Sequence, residues 1–260
     1  MEIHLSGKRA LVCGSTQGIG LAAARELAGL GAEVVLIARN ADKLKAVCDA
    51  LPKVNGQHEF VVADFNKPES VAKAAAEITQ SGPVHILVNN TGGPPPGAAH
   101  LADLSGFQSA FEAHLLNNHL LMQACLPGMK AEGYGRIINV ISTSVKAPLK
   151  GLGVSNTIRA AVANWSKTLS LELASWGITV NNVLPGATAT ERLQQIISNK
   201  AAKSSLPIEE VEAEMLAEIP CGRFAQPSEI AAAIAFLASP AAAYINGINL
   251  PVDGGRTPSL

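Results

Sequence analysis

Gly14-Ser15-Thr16-Gln17-Gly18-Ile19-Gly20 is the first run whose residue types and spacing suit chemistry, and that chemistry is holding phosphate. It follows a short apolar run and opens an alanine-rich amphipathic one, the pattern of a strand–turn–helix junction. Glycines there have three uses: one permits the turn, one lets backbone approach a pyrophosphate, and one lets helix pack on strand. The helix N-terminus adds free N–H groups and the positive end of a dipole. Purely structural glycines would give the same run, so its place in the fold must decide. About 20 residues on, a site preferring NAD(H) carries an acid for the ribose 2′-OH. This chain has Ala38-Arg39-Asn40 instead. Arg39 either forms a forked, charge-assisted contact to a 2′-phosphate or is an exposed arginine at a strand end. The pattern favours NADP(H) over NAD(H). Cys13, Cys48, Cys125 and Cys221 are scattered without a CxxC pair, so neither a metal site nor a disulfide framework is expected.

Such a turn works only if the surrounding elements place it. Apolar runs at 10–13, 33–38, 59–63, 84–89, 136–141, 178–184 and 248–252 read as strands covered on both faces. Helical segments are expected at 19–30, 41–51, 68–80, 107–132, 154–176 and 227–238. Asn66 before Lys67-Pro68 and Gln226 before Pro227-Ser228-Glu229 are candidate caps. This βαβ rhythm implies one doubly wound α/β domain over residues 1–260, with a parallel sheet and helices on both faces. Two stretches interrupt it. Gly92-Gly93-Pro94-Pro95-Pro96-Gly97 is either a plain rigid connection or a stiff wall of the site. Residues 186–219 hold two helix-like pieces between the last two strands. Both belong at the carboxyl ends of the strands, where ligands bind in open α/β sheets.

Composition excludes other classes. The 260 residues are 48% hydrophobic and 16% charged, so disorder is ruled out. A net charge of −1 argues against a nucleic-acid binder. The uncharged stretch 230–252 is long enough to span a bilayer. It is nonetheless broken by Ser239-Pro240 and carries Asn246, Gly247 and Asn249, so it reads as helix, turn and strand. With no signal-peptide pattern at residues 1–14, a soluble cytoplasmic protein is expected.

Further blocks follow the glycine turn: Ala63-Asp64, Asn89-Asn90-Thr91-Gly92, and Gly135-Arg136-Ile137-Ile138-Asn139. Leu171-Glu172-Leu173-Ala174, Gly177-Ile178-Thr179-Val180-Asn181, Pro185-Gly186 and Val252-Asp253-Gly254-Gly255 complete the set. On these blocks the chain resembles the short-chain dehydrogenase/reductase family over essentially its whole length, near the 3-oxoacyl-(acyl-carrier-protein) reductase-like branch. The resemblance implies a seven-stranded Rossmann sheet, a nicotinamide cofactor, a small-molecule substrate and a homo-oligomer, dimer or tetramer. It implies that Gly14, Ser15, Gln17, Gly18, Ile19 and Gly20 cradle the cofactor and that Asp64 contacts adenine. Asn90 would line the ribose, and Pro185, Gly186 and Thr188 or Thr190 would flank the nicotinamide.

The catalytic positions depart from that family. Its chemistry uses a Tyr-x-x-x-Lys pair, a serine 13 positions before the tyrosine, and an asparagine on the preceding helix. Counted from the flanking blocks, these positions fall on Ser155, Arg159, Ser142 and His114, so only the serine is retained. Neither Tyr134 nor Tyr244 has a lysine four residues on. A serine hydroxyl is a poor proton donor near pH 7, and a guanidinium does not exchange its proton there. His114 is suited to acid–base work near neutrality, or else packs near Phe107 and Phe111. Ser142 and Ser155 together could hydrogen-bond a carbonyl oxygen. Lys146 and Lys150, in the loop between them, are less suited. Two functions stay open: an NADP(H)-dependent oxidoreductase of a carbonyl or secondary alcohol with non-standard catalytic residues, and a nucleotide-binding protein without turnover.

Overall fold

A computed structural model describes residues 1–259. Seven parallel strands form one sheet: β1 (Arg9–Cys13), β2 (Glu33–Ala38), β3 (Glu59–Val62), β4 (Ile86–Asn89), β5 (Gly135–Val140), β6 (Ile178–Pro185) and β7 (Asn249–Val252). Their spatial order is β3-β2-β1-β4-β5-β6-β7. The chain therefore reverses direction across the sheet between β1 and β4, which creates the switch-point crevice of a doubly wound fold.

Alternation along the inner strands divides the core in two. Ala10, Val12, Val34, Leu36, Ile86 and Val88 point to one face, where α1 (Gly18–Gly29), α2 (Ala41–Asp49) and α9 (Pro227–Ala238) bury Leu27, Leu44, Ile230 and Ile234. Leu11, Val35, Ile37, Leu87 and Ile137 point to the other. There α3 (Pro68–Gln80), α5 (Asn117–Glu132) and α6 (Gly153–Leu173) supply Ile78, Leu121, Met129 and Leu169. The remaining helices are α4 (Leu104–Phe111), α7 (Glu191–Ser204) and α8 (Ile208–Ala217).

Three expectations need correction. The edge strand β3 is not covered on both faces: Phe60 and Val62 are 36% and 48% exposed, because no neighbour lies beyond it. The segment read as one helix over 107–132 is α4 and α5 joined by a π turn, Glu112–Leu116, whose wider i→i+5 bonding accommodates one extra residue. Asn66 does not cap α3. The cap position is Lys67, and Asn66 N–H instead donates to Asp64 Oδ1 at 3.1 Å. At α9, by contrast, Gln226 N–H donates to Glu229 Oε2 at 2.7 Å, as the capping pattern predicts.

Asparagines in register across four strands tie the site-bearing half of the sheet together. Asn89 pairs with Asn139, Asn139 with Asn182, and Asn182 with Asn249, at 2.8, 3.1 and 2.8 Å. Ser166 of α6 joins this ladder from the helix layer. Asn139 and Asn182 are satisfied on both sides by these contacts, whereas Asn89 Oδ1, at the end of the ladder, has no partner among the described residues.

Candidate active site

A cleft of about 790 Å³ lies along the carboxyl ends of the strands. At one end, Gly14, Gln17, Gly18 and Ile19 form the lining where β1 turns into α1. Gly14 and Gly18 have φ of +61° and +55°. A Cβ on Gly14 would lie 2.4 Å from Asn90 O, and one on Gly20 would lie 2.2 Å from Gly14 O, so the turn is packed against the protein behind it. Asn90 Nδ2 donates to Cys13 O at 3.2 Å, fastening the turn to the end of β4. The first turn of α1 has neither a side-chain cap nor an acidic residue, leaving its N–H groups and dipole for an anion.

Two residues expected to cradle a cofactor do not line this cleft. Ser15 is fully buried with Oγ 3.5 Å from Ile37 O, and Gly20 serves the helix–strand contact. Arg39 is exposed at the end of β2 and lines the cleft, in no ion pair among the described residues. Lys43, one turn into α2, lies on the same wall and was missed in the sequence, where only its spacing from Arg39 would have indicated it. Asp64 is half-buried in the lining.

Past β6, Pro185, Gly186, Thr188 and Thr190 continue the wall. A Cβ on Gly186 would strike Asp253 Cα at 2.7 Å. Thr190 Oγ1 accepts from Leu193 N–H at 3.3 Å and caps α7. The Gly/Pro loop is a pinned wall: Gly92, Gly93 and Pro94 line the cleft. Gly97 N–H bonds Gly151 O at 2.7 Å, Gly153 N–H bonds Gly97 O at 2.9 Å, and Arg192 Nη2 donates to Pro94 O at 2.9 Å.

Ser142, Ser155 and Arg159 are brought together in the lining. Ser142, just after β5, accepts Ser144 N–H at 3.1 Å, which leaves its own proton for a ligand. Ser155 stands in the first turn of α6, one turn before Arg159. Arg159 is buried, with Nη1 3.3 Å from Val140 O and Nη2 3.5 Å from Thr91 O. Burial, then the charge of Arg192, lowers its pKa to about 10, so it stays cationic at neutral pH.

His114 is the exception. It lies in the π turn, 2% exposed and outside the lining, its Nδ1 hydrogen-bonded at 2.6 Å to Thr91 Oγ1. Burial, then Arg159, lowers its pKa to about 3. It therefore does not titrate near neutrality, and it reaches the cleft only through Thr91. Phe107 packs instead with Ala110, Val154 and Ile158.

Fold and cleft define a Rossmann-type α/β protein with its site at the topological switch point. A family model described as enoyl-(acyl carrier protein) reductase matches residues 14–257. The 3-oxoacyl-[acyl-carrier-protein] reductase of Vibrio cholerae is 36% identical over 97% of this chain and 98% of its own length. An NADPH-dependent reductase of Bacillus subtilis is 30% identical over 98% of this chain and 100% of its own. The structure of L-sorbose reductase from Gluconobacter frateurii, complexed with NADPH and L-sorbose, has a TM-score of 0.93 at 32% identity and covers all of both chains. The chain belongs to the short-chain dehydrogenase/reductase family.

Proposed function

We propose that the protein is an NADP(H)-dependent oxidoreductase acting on a carbonyl or secondary alcohol, 3-oxoacyl reductase-like, with non-standard catalytic residues. The observation that carries this reading is an uncapped, glycine-cradled start of α1 opening on the same cleft as Ser142, Ser155 and Arg159. The residues fit a dinucleotide: the turn would hold the pyrophosphate, Arg39 and Lys43 a 2′-phosphate, and Asp64 and Asn90 the adenosine end. Pro185, Gly186, Thr188 and Thr190 would flank the nicotinamide. Relatives named for NADPH support the choice of cofactor. A bound nicotinamide would supply or accept the hydride.

The protein's own part is electrostatic. Ser142 and Ser155 donate hydrogen bonds to the substrate oxygen, and the Arg159 charge stabilises the oxyanion as it forms. With no phenol available, the proton completing a reduction comes from water. Neutral His114 fixes Thr91 rather than acting as the acid. Large apolar side chains left exposed at Leu104, Phe111, Leu116 and Leu171 support self-association through the long helices. Among the described residues no helix is long and apolar enough to cross a membrane.

The missing phenol and the neutral His114 favour a second reading, a nucleotide-binding protein without turnover. A carbonyl and alcohol panel, followed by absorbance of reduced cofactor alongside NADPH titration, separates the two. Turnover supports the first reading, binding without turnover across the panel the second, and no binding sinks both.

A further inference from the structure

We propose that Arg159 and Arg192 form a receptor for a substrate carboxylate, so that the substrate is an oxo acid or its hydroxy acid. This rests on the oxidoreductase reading above. Arg159 is a buried guanidinium whose hydrogen-bond partners are two carbonyl oxygens at 3.3 and 3.5 Å. Of its five N–H donors, these occupy two. Among the described residues it makes no ion pair, and a buried cation without a counter-charge is costly unless a ligand supplies one.

A second cation is held beside it. Arg192, in the first turn of α7, is half-buried and fixed by its bond to Pro94 O. Arg159 Nη2 lies 3.8 Å from where a Cβ on Gly93 would stand, so the two guanidiniums flank the Gly93-Pro94 turn. Their mutual repulsion contributes to the lowered pKa of Arg159. The two acids lining the cleft do not neutralise them: Asp64 accepts from Asn66 N–H, and Glu191 is exposed. The nucleotide end has its own phosphate partners in the glycine turn, Arg39 and Lys43, so this pair is not required there.

Placement on one helix face supports a single ligand for both groups. Ser155 and Arg159 are one turn apart on one face of α6, about 5–6 Å between Cβ atoms. That face presents a hydroxyl and a guanidinium to the same cleft, so one ligand can set its carbonyl on Ser155 and Ser142 and its carboxylate on Arg159. The planar carboxylate also matches the guanidinium fork.

The test titrates oxamate, its neutral match oxamide, and inorganic phosphate by calorimetry, with and without saturating NADPH. Oxamate is expected to bind at least about 10-fold tighter than oxamide or phosphate, the size of one charge-assisted contact. Arg192→Gln should weaken oxamate about 10- to 100-fold while the NADPH Kd moves less than about threefold. Arg159→Met should abolish oxamate binding, and Arg159→Lys, which keeps the charge without the fork, should restore part of it; a merely structural arginine would give no such charge-dependent recovery. Equal binding of oxamate and oxamide, tighter binding of phosphate, or equal loss of oxamate and NADPH in Arg192→Gln overturns the proposal. Failure to bind NADPH strikes the oxidoreductase reading instead, since the comparison without nucleotide reads the arginine pair alone.

Discussion

The two ends of the cleft are built on different terms. At the proposed nucleotide end, backbone does the positioning: glycines at φ +61° and +55°, an uncapped helix start, and Asn90 fastening β1 to β4. At the other end, side chains from β5, α6 and α7 converge, and three of the four positions that the family resemblance singles out carry other residues. The difference teaches that the glycine turn and the proposed reacting groups are separable. The turn is tied to the packing of α1 on the sheet, whereas Ser142 stands just after β5 and Ser155 and Arg159 stand on α6, outside that packing.

The sharpest way to break that comparison is to add one carbon. Gly14→Ala must enter a left-handed conformation and put its Cβ 2.4 Å from Asn90 O. Strain of about 1–3 kcal/mol plus the clash should lower Tm and reduce NADPH affinity by roughly 100-fold or more. Gly92→Ala, at the other end, meets nothing within 4 Å and should leave Tm unchanged. Titration and thermal melts of both check this; equal effects would erase the distinction. Next in size is Ser142→Ala, which should lower kcat by about 10²- to 10³-fold while leaving the NADPH Kd unchanged. Steady-state kinetics on a turned-over substrate reads it, and unaltered kcat would remove Ser142 from the chemistry.

His114 sharpens the comparison through pH. Its folded pKa of about 3 lies below the ordinary 6.5, so the unfolded chain takes up the proton first as pH falls. The stability it contributes is fully present above pH 6.5 and is lost progressively toward pH 3. Between pH 7 and 5 this amounts to about 2 kcal/mol, and His114→Gln should remove that share of the slope. Urea melts at the two pH values measure it. An unchanged slope would mean that His114 protonates in the folded state.

What the sequence disclosed follows the same division. The switch-point sheet, the glycine turn and the helices α3 and α9 were readable because strand alternation, Pro at the helix start and glycine spacing are local signals. The parts played by Thr91 and Arg192 were not, because they reach the cleft only through the order of the strands and the pinning of the Gly/Pro loop, and Lys43 was marked by no more than its spacing from Arg39. The asparagine ladder was equally hidden: each residue sits alone in its own strand, and only the parallel register aligns them. His114 was placed on the right helix, but periodicity does not reveal a π turn, and that turn holds it against Thr91 behind the wall.

The smallest effect expected is at Arg39, and it tests the nucleotide end alone. The side chain is exposed and shares its wall with Lys43, so one charge can partly replace the other. A single solvent-facing, charge-assisted contact to a 2′-phosphate is worth about 1.4 kcal/mol, so Arg39→Ala should weaken NADPH about 10-fold. NADH has no such phosphate, and its Kd should not move. Arg39→Ala combined with Lys43→Ala should bring the two nucleotides to equal affinity if the wall reads the phosphate by charge. Raising salt should narrow the wild-type preference in the same direction, because exposed pairs are screened within about 10 Å at 0.1 M ionic strength. A preference for NADPH that survives both the double substitution and high salt would place the discrimination elsewhere, and would separate the end of β2 from the cradle it adjoins.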